Sequence, residues 1–244
     1  MTIDTLITIG YYVSSIGFLI ATIVTFEAAR KASQSGLKTV LNYLFIGTAT
    51  FFVITVFQKM VAAGVYSISD ESPDIWWHIM FYLAMFSFYF GFKALARLGS
   101  ADTDATAVSA SSGKTWGIIT AVLLVLIFIV PNMADGLIQS YNASKLAELG
   151  AHHFLAFALA GVVGAYLFSA KLFLGQVGKA IANPMIIAIW ALAAQHFWEL
   201  LVESWKVIEV TGEVGEGVEK IFLTIAAVCI TFAALRLKSL AKAA

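Results

Sequence analysis

Residues 184–209 read PMIIAIWALAAQHFWELLVESWKVIE. A stretch this long and this apolar suits a transmembrane helix, since about 20 residues cross a bilayer core. It nevertheless carries His196, Glu199, Glu203 and Lys206. Their spacing of i, i+3, i+7 and i+10 puts all four on one face of a helix. Trp190, Trp198 and Trp205 fall on the opposite face. The simplest arrangement turns the tryptophans to lipid and the ionisable stripe inward. A charge near the helix centre costs about 2.5–3.5 kcal/mol or more, so it is kept where it pairs, binds a ligand or lines water. The stretch therefore predicts a bundle-spanning helix with a functional face.

The rest of the chain agrees. Of 244 residues, 60% are hydrophobic and only 12% charged, against about 25% charged in soluble domains. Mean hydropathy is +0.88. These values predict an all-α, polytopic integral membrane protein with the lipid bilayer as its first partner. The formal net charge of zero gives no reason to expect a nucleic-acid partner. The single cysteine, Cys229, rules out an internal disulfide or a CxxC metal site and reads as a small packed hydrophobe. MTIDTLITIG at the N-terminus lacks a basic n-region, so no cleaved signal peptide is expected.

Hydropathy predicts seven spans in one domain, at about 5–28, 38–65, 74–97, 115–139, 151–174, 184–209 and 218–238. Of the 15 Lys and Arg, Lys59, Lys145, Lys206 and Lys220 fall on one side and the other 11 on the opposite side. The positive-inside rule then predicts the N-terminus outside and the C-terminus in the cytoplasm, in a prokaryotic inner (cell) membrane. Residues 99–114, GSADTDATAVSASSGK, read as a cytoplasmic linker.

Polar groups gather in the outer half of the predicted bundle. Lys59 lies in the outer third of the second span, where it either snorkels or answers an inward carboxylate. His78 follows Trp76 and Trp77 and begins the stripe His78, Tyr82, Met85 and Tyr89. In the fourth span Pro131 predicts a kink, with Asn132, Asp135 and Gln139 beyond it. His152 and His153 open the fifth span, above a close-packing seam of Ala156, Ala160 and Gly164. Pro184 suits the first turn of the next helix.

Imidazole with carboxylate is first-row metal chemistry: zinc, copper, iron or manganese. His196 and Glu199 at i, i+3 can ligate one ion from one helix, with His152 or His153, Asp135 and Glu203 completing the shell. Haem b is the other cofactor these residues suit, with His78 or His153 paired to His196 as axial ligands. Lys59, Gln139 and Lys206 are the remaining pocket polar groups. The expected function is a metal- or haem-binding, redox-type membrane subunit. Two alternatives stay open: a proton- or ion-coupled small-solute transporter, and a non-catalytic assembly or sensor subunit. Other membrane subunits or a second copy of the chain are the protein partners this allows. No GxSxG, HExxH or P-loop pattern occurs.

Short echoes between the halves, FEAAR at 26–30 with FSAK at 168–171 and ALARL at 94–98 with AALRL at 233–237, suggest a 3+1+3 parallel repeat. That topology resembles SWEET-type sugar transporters and microbial rhodopsins. The resemblance is one of topology. The repeat prolines of the first family are missing, since the prolines are Pro73, Pro131 and Pro184. A retinal Schiff base needs a lysine in the middle of the last helix. Lys220 and Lys238 stand one at each of its ends, so no retinal is expected.

Overall fold

Every long element is a helix. The computed structural model describes residues 2–66, 72–99, 118, 121–122, 138–174 and 176–241. The long helices are α1 (Ile3–Lys31), α2 (Ser35–Ala62), α3 (Ser72–Gly99), α4 (Ala151–Ala170), α5 (Gln176–Glu199) and α6 (Gly212–Ala241). All six have the length and apolarity to cross a membrane. The predicted span at 115–139 lies outside the described residues except at 118, 121–122 and 138–139. The flexible linker expected at 99–114 also falls outside them, apart from Gly99.

Local chemistry sets several helix ends. Thr2 caps α1 by accepting from the Thr5 N–H, and Arg30 and Lys31 sit in its last turn, where cations complement the macrodipole. The predicted start at Pro184 is corrected: α5 begins at Gln176 and carries Pro184 inside it. Burial of Ile181, Ala182 and Met185 holds the turns around the proline, so packing overrides the lost backbone donor. The predicted end at 209 is also corrected. The α-helix stops at Glu199, a π-helical turn follows over Leu200–Ser204, and the chain then leaves helical geometry. The acidic stretch expected as a loop before the last span is partly helical, since α6 starts at Gly212 with Glu213 in its first turn. An acid there favours the positive end of the helix dipole.

The helices pack in a ring, α1 on α2, α2 on α3, α3 on α4, α4 on α5, α5 on α6 and α6 back on α1. The interior is aromatic. Phe51 stacks on Phe18 at 4.9 Å between centroids and meets Phe81 edge-on at 6.0 Å. It also stacks on Phe88, which reaches Phe92. Gly47 sits directly under the Phe88 ring, where a Cβ would collide with it, so α2 and α3 approach closely. Without a hydrophobic drive between helices in lipid, such van der Waals contact holds the bundle. The predicted seam on α4 is buried at Ala156, Ala160 and Gly164, and Gly164 faces Ile189 and Trp190 of α5. Outward faces carry exposed apolar side chains, among them Ile9, Ile16 and Ile23 on α1 and Val228 and Phe232 on α6. Trp190 and Trp205 are exposed as expected, whereas Trp198 donates to the Gly215 carbonyl and ties α5 to α6.

Candidate functional site

The first turns of α3 and α4 meet the last turn of α5. This brings His78, His153, His196 and Glu199 together, none more than 5% exposed. Glu199 Oε2 lies 2.6 Å from His196 Nδ1 and 2.9 Å from His153 Nδ1. His78 Nε2 is 3.0 Å from the same His153 nitrogen and 3.9 Å from Glu199 Oε2. Donor-capable atoms of all four residues lie within 4.8 Å of one another, an arrangement that can hold a metal ion.

An outer layer of polar partners fixes how each group faces the centre. His78 Nδ1 is 2.8 Å from the Asp74 carbonyl oxygen. A carbonyl only accepts, so Nδ1 carries the proton and Nε2 turns its lone pair inward. The Asp74 carboxylate is 3.4 Å from the same nitrogen. His153 Nε2 lies 3.5 Å from Glu203 Oε2, which leaves Nδ1 on the inner side. Gln195 donates to Glu199 Oε1 at 2.9 Å, leaving Oε2 for the centre. His196 Nε2 is buried without a hydrogen-bond partner and its ring meets Phe81 edge-on at 4.3 Å. Its polar contacts are therefore made through Nδ1.

The electrostatics follow from this geometry. His78 Nε2, His153 Nδ1 and Glu199 Oε2 are mutually close, and each offers a lone pair in the neutral-imidazole, ionised-carboxylate state. Lone pairs at such distances repel unless a hydrogen or a cation stands among them, and an imidazole N–H donated to Glu199 is the simplest case. A metal cation is the other.

Two backbone features place these groups. Gly150 has φ +70 at the start of α4, a left-handed conformation that favours glycine. A Cβ there would strike the Ser204 hydroxyl, so the turn before α4 rests on the π-turn of α5. That π-turn carries Glu203; such turns are frequent at functional sites.

A second group flanks the first. The Asp74 carboxylate, with its side chain 48% exposed, lies 3.2 Å from His152 Nε2. His152 Nδ1 is 3.0 Å from the Tyr141 hydroxyl, and the Tyr82 hydroxyl donates to the His152 carbonyl at 2.8 Å. Burial raises the Tyr141 phenol above its ordinary range, so it stays a neutral hydroxyl at neutral pH.

Of the residues the sequence singled out, His78, His153, His196 and Glu199 form the centre and His152 and Glu203 its rim. Asp135 lies outside the described residues. Gln139 is exposed. Lys59 goes elsewhere: its ammonium lies 3.6 Å from the Tyr11 ring centroid, beside Lys220 on the same ring. Lys206 is corrected too. It lies beyond the helix with φ +50 and is exposed, because the helical register ends before it. Sequence reasoning missed Asp74 and Gln195 as partners. Each precedes a centre residue by four positions, the one-turn spacing that would have signalled contact.

Comparison of the chain with protein-family models, with curated proteins and with solved structures finds no match.

Proposed function

We propose that the protein is an integral membrane metalloprotein that holds one divalent transition-metal ion on His78, His153, His196 and Glu199. The observation that carries this reading is the convergence of three imidazole nitrogens and one carboxylate oxygen in a buried site. A tetrahedral ion with bonds of 2.0–2.1 Å sets its ligand atoms about 3.3 Å apart, and the four separations given above, 2.6–3.9 Å, bracket that edge. The outer layer supports it further. Metal-bound imidazoles donate their far nitrogen to a carboxylate or carbonyl, which is how Asp74 meets His78 and how Glu203 lies against His153. Three imidazoles and a carboxylate with no thiolate suit zinc, copper or iron. Four protein ligands close the shell, so the ion ties α3, α4 and α5 together. Copper or iron there adds a redox centre to a membrane subunit.

Haem fits less well. His78 and His196 stand only 4.9 Å apart between centroids, and between His153 and His196 the Glu199 Oε2 lies 2.9 and 2.6 Å from their Nδ1 atoms, where the macrocycle would have to stand. The basic-residue distribution supports an extracytoplasmic position for the site. The starts of α3 and α4 meet at one end of the bundle, which supports the seven-span reading.

The test is metal analysis with absorption spectroscopy on protein purified in detergent from metal-replete cells. The expected result is about one zinc, copper or iron per chain, depleted by a strong chelator and absent from His196→Ala, as loss of a ligand demands. Protein that contains no transition metal and takes none up overturns the reading. A Soret band redirects it to haem.

A further inference from the structure

The cation site just proposed has a neighbour on its exposed side. Asp74 presents one carboxylate oxygen to His152 Nε2 at 3.2 Å and the other to His78 Nδ1 at 3.4 Å. Ligand atoms of these three residues also lie within 4.8 Å of one another. The two imidazoles stand edge-to-face at 4.7 Å. We infer that Asp74, His152 and the Nδ1 edge of His78 form a second, outer transition-metal site that shares the His78 ring with the buried one. This inference rests on the metal reading of the inner four residues.

Three features point to a ligand. The first is the setting of His152. Its Nδ1 reaches the Tyr141 hydroxyl and its backbone carbonyl accepts from Tyr82, so the ring is held with Nε2 toward Asp74. When Nδ1 donates its proton to Tyr141, Nε2 offers a lone pair to the point that the Asp74 carboxylate faces. The second is exposure. The side chains of Asp74 and His152 are 48% and 13% exposed, against 1% for His78 and 6% for Glu199, so an ion here exchanges with solvent and one in the inner site does not. The third is space. A cavity of about 310 Å³ is bounded by Ile75, His78, Ile79, Tyr82, Tyr141 and His152. His78 and His152 line this cavity and Asp74 stands beside it; three protein ligands that leave a position open are the pattern of a catalytic metal, whereas four closed ligands are that of a structural one. Its largely aliphatic and aromatic walls suit a small, lipid-soluble exogenous ligand on the outer ion.

Sharing the ring has a stoichiometric consequence. The His78 Nδ1 proton, donated to the Asp74 carbonyl in this structure, would pass to solvent water when the outer ion binds, so one proton is released per outer ion as a metal–nitrogen bond replaces the N–H. The bridged ions then stand about 6 Å apart across the imidazolate, given metal–nitrogen bonds near 2.0–2.1 Å.

The experiment is a Cu²⁺ titration of metal-free, full-length protein in nanodiscs, read by metal count and electron paramagnetic resonance. The expected result is two equivalents per chain, the second at least tenfold weaker. The isolated-ion signal of the first equivalent weakens as the second fills, through exchange across the shared ring. His152→Gln removes only the second equivalent, and Tyr141→Phe weakens it. Added azide shifts the spectrum of the second equivalent alone. One equivalent in the wild type, unchanged in His152→Gln, overturns the outer site and leaves the inner one standing. A second equivalent that survives both His152→Gln and Asp74→Asn also overturns it. No equivalents at all overturns both sites.

Discussion

Glu199→Gln separates a metal centre from a hydrogen-bonded polar cluster. The substitution keeps the side chain's shape and an oxygen that accepts, and it removes the one anion in the inner group. In the metal-free protein it weakens the contacts from His196 at 2.6 Å and His153 at 2.9 Å. Hydrogen bonds to charged groups contribute about 1.5–3 kcal/mol, so the variant melts lower with or without metal. The decisive quantity is therefore the metal-dependent difference. A bound ion at a free concentration of 100 Kd stabilises the native state by about 2.7 kcal/mol. For a chain of this size about 1 kcal/mol moves Tm by 2–4 °C, so wild-type protein gains about 5–11 °C on zinc addition relative to chelator. Changes to outer partners already cost 10–100-fold in affinity, and loss of the anionic ligand costs at least that. The zinc-induced shift in Glu199→Gln accordingly falls below about half of the wild-type value at the same zinc concentration. The assay is scanning fluorimetry in detergent with zinc and with chelator. Equal shifts in the two proteins, or no shift in the wild type, refute the assignment of Glu199 as a ligand.

Further outcomes follow from the same contacts. Gly150→Ala strains a φ of +70 and drives a methyl into Ser204, so it costs about 1–3 kcal/mol and also lowers metal content, measured by melting and metal analysis together. Phe51→Ala empties the centre of the aromatic column and costs about 3–5 kcal/mol, while the ion count of the surviving folded fraction stays at the wild-type value. Metal retention depends on pH with a definite sign. The imidazoles must be deprotonated to ligate, so occupancy is lost as pH is lowered and recovers as it is raised, read by dialysis and metal analysis at stepped pH.

The helical membrane fold was legible because hydropathy is a property of single segments, and α1 to α6 each satisfy the length rule without help from the others. Helix ends were less legible, because packing decided them. Pro184 looked like a start, yet buried Ile181 and Ala182 carry the helix through it. Within the site, His196 and Glu199 were legible as a pair since they share one helix face at three-residue spacing. The partners across helices rested on a depth argument. That argument named His78, His153 and Glu203, which the structure brings near Glu199, and also Lys59, which lies against Tyr11 instead. Depth alone does not say which way around the bundle a side chain points. The Tyr11 ring offers Lys59 a cation–π contact that compensates part of the cost of holding an ammonium there. Asp74 opens the predicted third span, and the helix begins two residues before it, at Ser72, which sets Asp74 one turn from His78.

The energetic problem at this end of the bundle is the Glu199 carboxylate. An anion buried to 5% exposure among helices is tolerated only with a compensating partner, and the groups around it are the His78, His153 and His196 rings. Lys59 and Lys220 are committed elsewhere, to Tyr11 and to Glu216 and Glu219. A divalent cation among the four inner groups answers both demands, neutralising the carboxylate and occupying lone pairs that otherwise face one another. Phe81, with Phe51 behind it, closes the inner side against water. Among the described residues the rim is the open side, where Asp74 and Glu203 stand half-exposed, each beside an imidazole of the proposed centre. The rim carboxylates thus serve two ends with one placement, attracting a cation from outside and orienting the rings that receive it.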